Sequence, residues 1–320
     1  MTCTKRRARF RPGLAKLALA AALLSAVGPA RVEAHGLRAR ADMAAVAPAR
    51  RDTATSTTDS LFGRSGKLRF RLFNSSRLFG LPILERLFGD PAASPRPGVY
   101  TAAQDILGRP FAFISLVPFT EKVGGRLGNY RIGFWPSERR RTRSEAYENP
   151  DGFIEVTREN QDLYVSEHFR LSDFLTHDQQ DVWPKYLVLR EELVDKLELV
   201  IDDLAAHGIR VERMVVMSGF RTPQYNARGA GRGRARDSRH QFGDAADVFV
   251  DNDGNGRMDD LNRDKRIDSR DAKVILHAVE RVERAHPELV GGAALYRATK
   301  AHGPFAHVDV RGSRARWGRS

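Results

Sequence analysis

At 320 residues the chain is long enough for one large or two modest domains with a buried core. Its 53 Lys and Arg against 40 Asp and Glu give a formal charge of +13, suited to anionic surfaces such as a cell wall; no nucleic-acid motif accompanies that charge. The single cysteine, Cys3, excludes a disulfide framework and leaves any metal site to nitrogen and oxygen donors.

Residues 1–34 read as a secretory signal. Lys5, Arg6, Arg7, Arg9 and Arg11 precede the apolar run Leu17 to Val27, and Val32-Glu33-Ala34 offers a cut before His35. The run is short for a membrane span, which needs roughly 20 apolar residues, so the mature protein is expected to be exported to the periplasm or cell envelope and not to be integral to a membrane. Residues 35–95 read as a largely disordered linker or tether. Within it Leu61-Phe62-Gly63, Leu78-Phe79-Gly80 and Leu87-Phe88-Gly89 repeat among arginines, and the expectation is that their Phe residues pack on the main domain. Residues 96–150 read as a β-rich accessory region, with strand patterns at 111–117 and 130–135. Leu189, Leu193, Leu197, Val200 and Leu204 form one apolar stripe and predict a helix over 184–207, opened by Pro184 and closed by Gly208. A strand is expected at Arg213 to Met217, and a second helix at Arg270 to Ala285 before Pro287. Short strands mixed with helices predict an α+β fold.

The densest chemistry lies in Ser238-Arg239-His240-Gln241-Phe242-Gly243-Asp244-Ala245-Ala246-Asp247, followed far downstream by His307-Val308-Asp309. Two imidazoles and a carboxylate can bind zinc and leave one coordination position open for water. His240 and Asp247 converge only if the chain turns between them, and Gly243 permits that turn. Val308 separates His307 from Asp309 in a strand pattern, so both share a face.

The pattern Ser-x-His-x-x-Gly-x-Ala-x-Asp resembles the zinc D-Ala-D-Ala peptidases, whose fold is shared with lysostaphin-type peptidases and the hedgehog domain. Ser218-Gly219-Phe220-Arg221-Thr222-Pro223 is similar to another element of that family, and the closing His-Val-Asp resembles its murein endopeptidases. The likeness covers about residues 150–317 and implies a zinc peptidase-like domain at 151–320. It implies an antiparallel sheet with flanking helices, zinc held by His240, Asp247 and His307, and hydrolysis of peptidoglycan stem peptides or cross-links. It places Arg221 on the substrate, holding a carboxylate or stabilising an oxyanion, with Asn226 and Ser238 hydrogen-bonded behind the site. The glutamate that often serves as general base is replaced by Pro304; Asp309 is the first substitute and His302 the second. The rival readings are an inactive wall-binding or scaffold protein of the same fold, a D,D-carboxypeptidase, or a calcium-dependent adhesive module.

Residues 251–271 form an acidic insert. Asp260, Asn262, Asp264, Asp268 and Asp271 match the ligand spacing of a dockerin-type EF-hand calcium loop, with Lys265 where glycine is usual. Asp251-x-Asp253-x-Asn255-Gly256 begins an overlapping loop that lacks the final carboxylate.

Overall fold

The computed structural model describes residues 61–73, 96–102, 111–139, 144–231 and 234–318. The expected signal, residues 35–60 of the linker, Cys3 and the second and third Leu-Phe-Gly repeats lie outside these residues.

Thirteen strands and three α-helices are present among the described residues, a mixed architecture of small sheets consistent with α+β. β1 (Phe70–Phe73), β2 (Gly98–Ala102) and β3 (Phe111–Ser115) form one sheet in the order β1-β3-β2. β4 (Val117–Pro118), β7 (Gly152–Val156) and β8 (Lys185–Leu187) form a second, and β5 (Arg126–Leu127) with β6 (Tyr130–Arg131) makes a hairpin. Helix α1 (Glu191–Ala206) precedes β9 (Met214–Ser218), α2 (Pro223–Gly229) and β10 (Ala245–Val250). Helix α3 (Ser269–Ala285), β11 (Gly292–Tyr296), β12 (Phe305–Asp309) and β13 (Ala315–Trp317) complete the chain. The main sheet runs β13-β11-β12-β10-β9, antiparallel except for the β11–β13 pair. Among the described residues no helix is long and apolar enough to cross a membrane.

Phe73, Phe111 and Phe113 form a smaller cluster with Leu61, Phe62 and Tyr100, while most of these elements share one hydrophobic core. Ala246, Val248, Ala293, Ala306 and Val308 alternate along their strands onto the side that carries Ile275, Val279 and Val282 of α3, with Leu193, Leu197 and Val200 of α1 in the same cluster. Leu68, Phe70, Ile114, Val117, Ile132 and Trp135 belong to that cluster as well. The described part of residues 96–150 thus contributes Ile114, Val117, Ile132 and Trp135 to this core, and Phe70–Phe73, within the expected tether, is a strand whose Phe70 is buried in it. Helix α1 begins at Glu191 instead of at Pro184, because Lys185–Leu187 pairs with β7 first.

Residues 61–73 are held along α1 by a row of carboxylates. Glu191, Asp195, Glu198 and Asp202 recur at helical spacing. Glu191 takes the Arg71 guanidinium and the Leu72 amide; Asp195 accepts from the amides of Arg64 and Ser65 and from Ser65 Oγ; Lys67 reaches Asp202 and stands 3.8 Å from Glu198.

Candidate metal centre

Three segments converge on the face of the main sheet opposite α3. Ser238 leads into a single 3-10 turn, Arg239–Phe242, which lifts His240 off the sheet. Gly243 closes the turn at φ 68°, and a Cβ there would lie 2.3 Å from the Val188 carbonyl oxygen, so the position admits glycine alone. Asp244 and Arg239 pair through a buried fork that fixes the turn's far side. β10 then starts, and Asp247 stands opposite His307 of β12.

One rung of the sheet carries almost the whole site. Trp317, Ala294, His307, Asp247 and Ser218 are register partners across β13, β11, β12, β10 and β9. Partners in register share a face. On β9 alternation alone would send Ser218 to the core side with Met214 and Val216. A bulge beside Asp247 and Val248 shifts the register and turns Ser218 to the site.

The donor atoms meet at bonding range of a common point. His240 Nε2 lies 3.2 Å from His307 Nδ1 and 3.3 Å from Asp247 Oδ1, and His307 Nδ1 lies 2.9 Å from the same oxygen. Bonds of about 2.0–2.1 Å around a tetrahedral ion separate its ligands by about 3.3 Å, so these three atoms fit one face of such a tetrahedron. All three side chains are buried. The tautomers suit the purpose: His240 Nδ1–H donates to the Gly219 carbonyl at 2.7 Å, which leaves Nε2 its lone pair. His307 Nε2–H donates to Asp309 Oδ2 at 3.1 Å, which leaves Nδ1 facing the cluster.

Without an ion the cluster is strongly coupled. Burial pushes the His240 imidazole down. Burial also opposes charge on His307, but hydrogen bonds to Asp247 and Asp309 outweigh it and raise that imidazole to about 9. Asp247 is held well below the usual carboxylate range; burial acts against this, and the two histidines overcome it. A proton on His307 thus stands where a cation would be welcome.

Several expected roles change. Asp309 touches the rear of His307 and is locked by the Arg311 fork at 2.9 and 3.0 Å and by the Gly292 amide at 2.6 Å. It fixes the His307 ring from behind, and its oxygens are already engaged by Arg311 and the Gly292 amide, so it does not stand as the free base expected of it. His302 lies in the loop between β11 and β12, where its Nδ1–H donates to Gly303 O and its ring meets Phe305 edge-on, outside the cluster. Arg221 holds the second oxygen of Asp247 and donates through Nε to Ser218 Oγ at 2.8 Å, so its first task is to aim the carboxylate. Asn226 is buried, and its amide donates to the Ala235 and Arg236 carbonyls without touching the cluster. Ser238 contributes its carbonyl to the turn. Ser218, Arg311 and Trp317 were not foreseen; the spacing of Arg311, two after Asp309, carried the signal.

The acidic insert is a tandem repeat with a period of nine residues. Asn255 N and Gly256 N donate to Asp251, Asn255 N to Asp253, and Arg257 N to Asn255; Asp264, Lys265 and Arg266 repeat all four bonds on Asp260, Asn262 and Asp264. Gly254, Gly256, Arg263 and Lys265 all have φ between 62° and 79°, so Lys265 adopts the turn despite its side chain. The expected calcium ligands of the second loop are committed elsewhere. Asp271 accepts from the amides of Leu261, Asn262 and Asp268, while Asp268 caps α3 and shares Arg270 with Asp264. Carboxylates gather in the first loop instead, where Asp251, Asp253 and Asp259 offer oxygens close enough for one ion.

No family model, curated protein or solved structure matches this chain. The functional reading therefore rests on the geometry above.

Proposed function

We propose that the protein is an exported zinc metallopeptidase that hydrolyses peptide bonds of peptidoglycan, with murein endopeptidase action on stem peptides or cross-links. The observation that carries this reading is the His240–Asp247–His307 triangle, with each imidazole's outer nitrogen already fixed by a separate acceptor. Zinc suits two imidazoles and a carboxylate and, when bound, supplies Lewis acidity and lowers the pKa of a coordinated water. The chain's own residues do the rest. His240 and His307 present lone pairs, Asp247 closes the triangle with one oxygen, and Arg221 holds the other. The Arg221 charge, next to the cluster, favours negative charge developing on the substrate carbonyl. Asp309 fixes the ring of His307. The same donor set would serve a D,D-carboxypeptidase.

A second reading, a non-hydrolytic wall-binding protein, is favoured by one observation: among the described residues, the carboxylates that touch the two imidazoles are Asp247 and Asp309, and neither is free to act as a base. Digestion of purified muropeptides with and without chelator, read by mass spectrometry, separates the two. Metal-dependent release of peptides supports the peptidase; none under any metal condition supports the binding protein. Calcium is assigned to the Asp251–Asp259 loop in place of the Asp260–Asp271 loop, with a structural task of stiffening the connection from β10 to α3. A calcium-dependent rise in melting temperature, lost in Asp251→Asn, checks it.

A further inference from the structure

The residue that reaches farthest across the site rung is Trp317, near the end of the described chain. Ala294 stands between it and His307 in register, and neighbouring strands lie about 4.8 Å apart. A side chain two strands away should not meet the imidazole, yet the two ring centroids are 5.1 Å apart. The indole therefore leans across β11, and the small side chain of Ala294 leaves the space beneath it.

Two further contacts hold the indole there. Its Nε1–H donates to Tyr296 Oη at 2.8 Å. The Arg311 guanidinium lies 5.2 Å over its ring, a cation–π arrangement, while the same guanidinium forks onto Asp309. Asp309 in turn accepts from His307 Nε2. Trp317, Arg311, Asp309 and His307 so form a closed circuit around the imidazole.

The strand beneath is shaped for that circuit. A Cβ on Gly292 would lie 2.3 Å from Asp309 Oδ2, 2.8 Å from Arg311 Nη2 and 2.9 Å from the Trp317 ring. A Cβ on Gly291 would lie 1.9 Å from the Asp309 carbonyl oxygen. Neither glycine has a positive φ, so both are needed for close approach and not for backbone freedom.

We infer that Trp317 is a positioning residue for the metal ligand His307, bracing the imidazole directly and, through Arg311, the carboxylate that fixes its tautomer. The inference rests on the metal reading proposed above. Partners behind a ligand typically alter metal affinity by about 10- to 100-fold. Trp317→Ala removes both contacts and is expected to weaken zinc binding by at least about tenfold, while Trp317→Phe restores most of it because a ring remains against His307. Tyr296→Phe, which removes only the indole's anchor, is expected to give a smaller loss in the same direction.

The test is zinc competition titration of the full chain, with each variant's melting temperature measured in parallel and titrations run well below it. Loss in Trp317→Ala with recovery in Trp317→Phe supports the brace. Equal zinc affinity in all four proteins overturns it, as does a loss in both Trp317 variants that simply follows the fall in melting temperature. A wild-type protein that binds no zinc fails the metal reading itself, a result distinguishable from failure of the brace.

Discussion

On the metal reading proposed above, a proton and a metal ion compete for one atom of His307. The ion-free imidazole is raised to about 9, so below that value a cation must displace the Nδ1 proton, and raising the pH favours the ion. Apparent zinc affinity is expected to climb about tenfold per pH unit below 9 and then level off; competition titrations across pH give the slope, and a flat profile contradicts the assignment of Nδ1 as a ligand atom. Asp309→Asn tests the rear of the same ring. The amide can present a donor where an acceptor is needed, and zinc affinity should fall by about 10- to 100-fold with the fold retained by circular dichroism. His240 and Asp247 were legible in the sequence because the turn and the strand that join them are local, and small residues mark the close approach. The roles of Asp309 and Arg221 were not, because spacing shows which residues share a face but not which of their oxygens or nitrogens are already committed.

Helix α1 works on both of its sides. Lys196 is fully buried and donates to Glu283, to the Leu289 carbonyl and to the Asp309 carbonyl, so the long helix secures the end of the strand that carries His307. Lys196→Met leaves Glu283 with Arg316 and the Gly291 amide and strips two carbonyls of a partner; a destabilisation of about 3 kcal/mol is expected in urea titrations. On another part of the helix Glu198 accepts from His168 at 2.7 Å. That bond is the main cause raising His168, and hydrogen bonds from His168 hold Glu198 low despite its burial. The histidine's contribution is complete below its unfolded value of about 6.5 and is lost as pH rises through the higher folded value. The carboxylate's contribution is complete above about 4.3 and is lost as pH falls through its lower folded value. The pair therefore helps most between about pH 4.5 and 6.5, and the gap in denaturation midpoint between wild type and His168→Gln should be widest there. The apolar stripe of this helix was readable from periodicity. The carboxylate row was hidden, since a charged face at helical spacing looks the same whether it meets water or another segment of chain.

Across the described molecule, residues 61–73 of the segment read as a tether contribute Leu68 and Phe70 to the core. Glycine and proline around the Leu-Phe-Gly repeats argued against a helix and gave no sign of a strand, because β1 pairs in parallel with β3, which lies about forty residues downstream, and such long-range pairing leaves no local mark. Phe70 is fully buried, and Phe70→Ala should cost about 3–5 kcal/mol, measurable as a fall in the urea midpoint. An unchanged midpoint would return this segment to the status of a loose attachment. The placement of the three donors has one more consequence for the whole chain. They sit on a turn and two strands, with His240 and His307 67 positions apart along the chain, and the full sequence holds a single cysteine. An ion shared among them would act as a removable rivet, closing a long loop of polypeptide as a disulfide does elsewhere, and resistance to unfolding would then follow the supply of free cation in the surroundings.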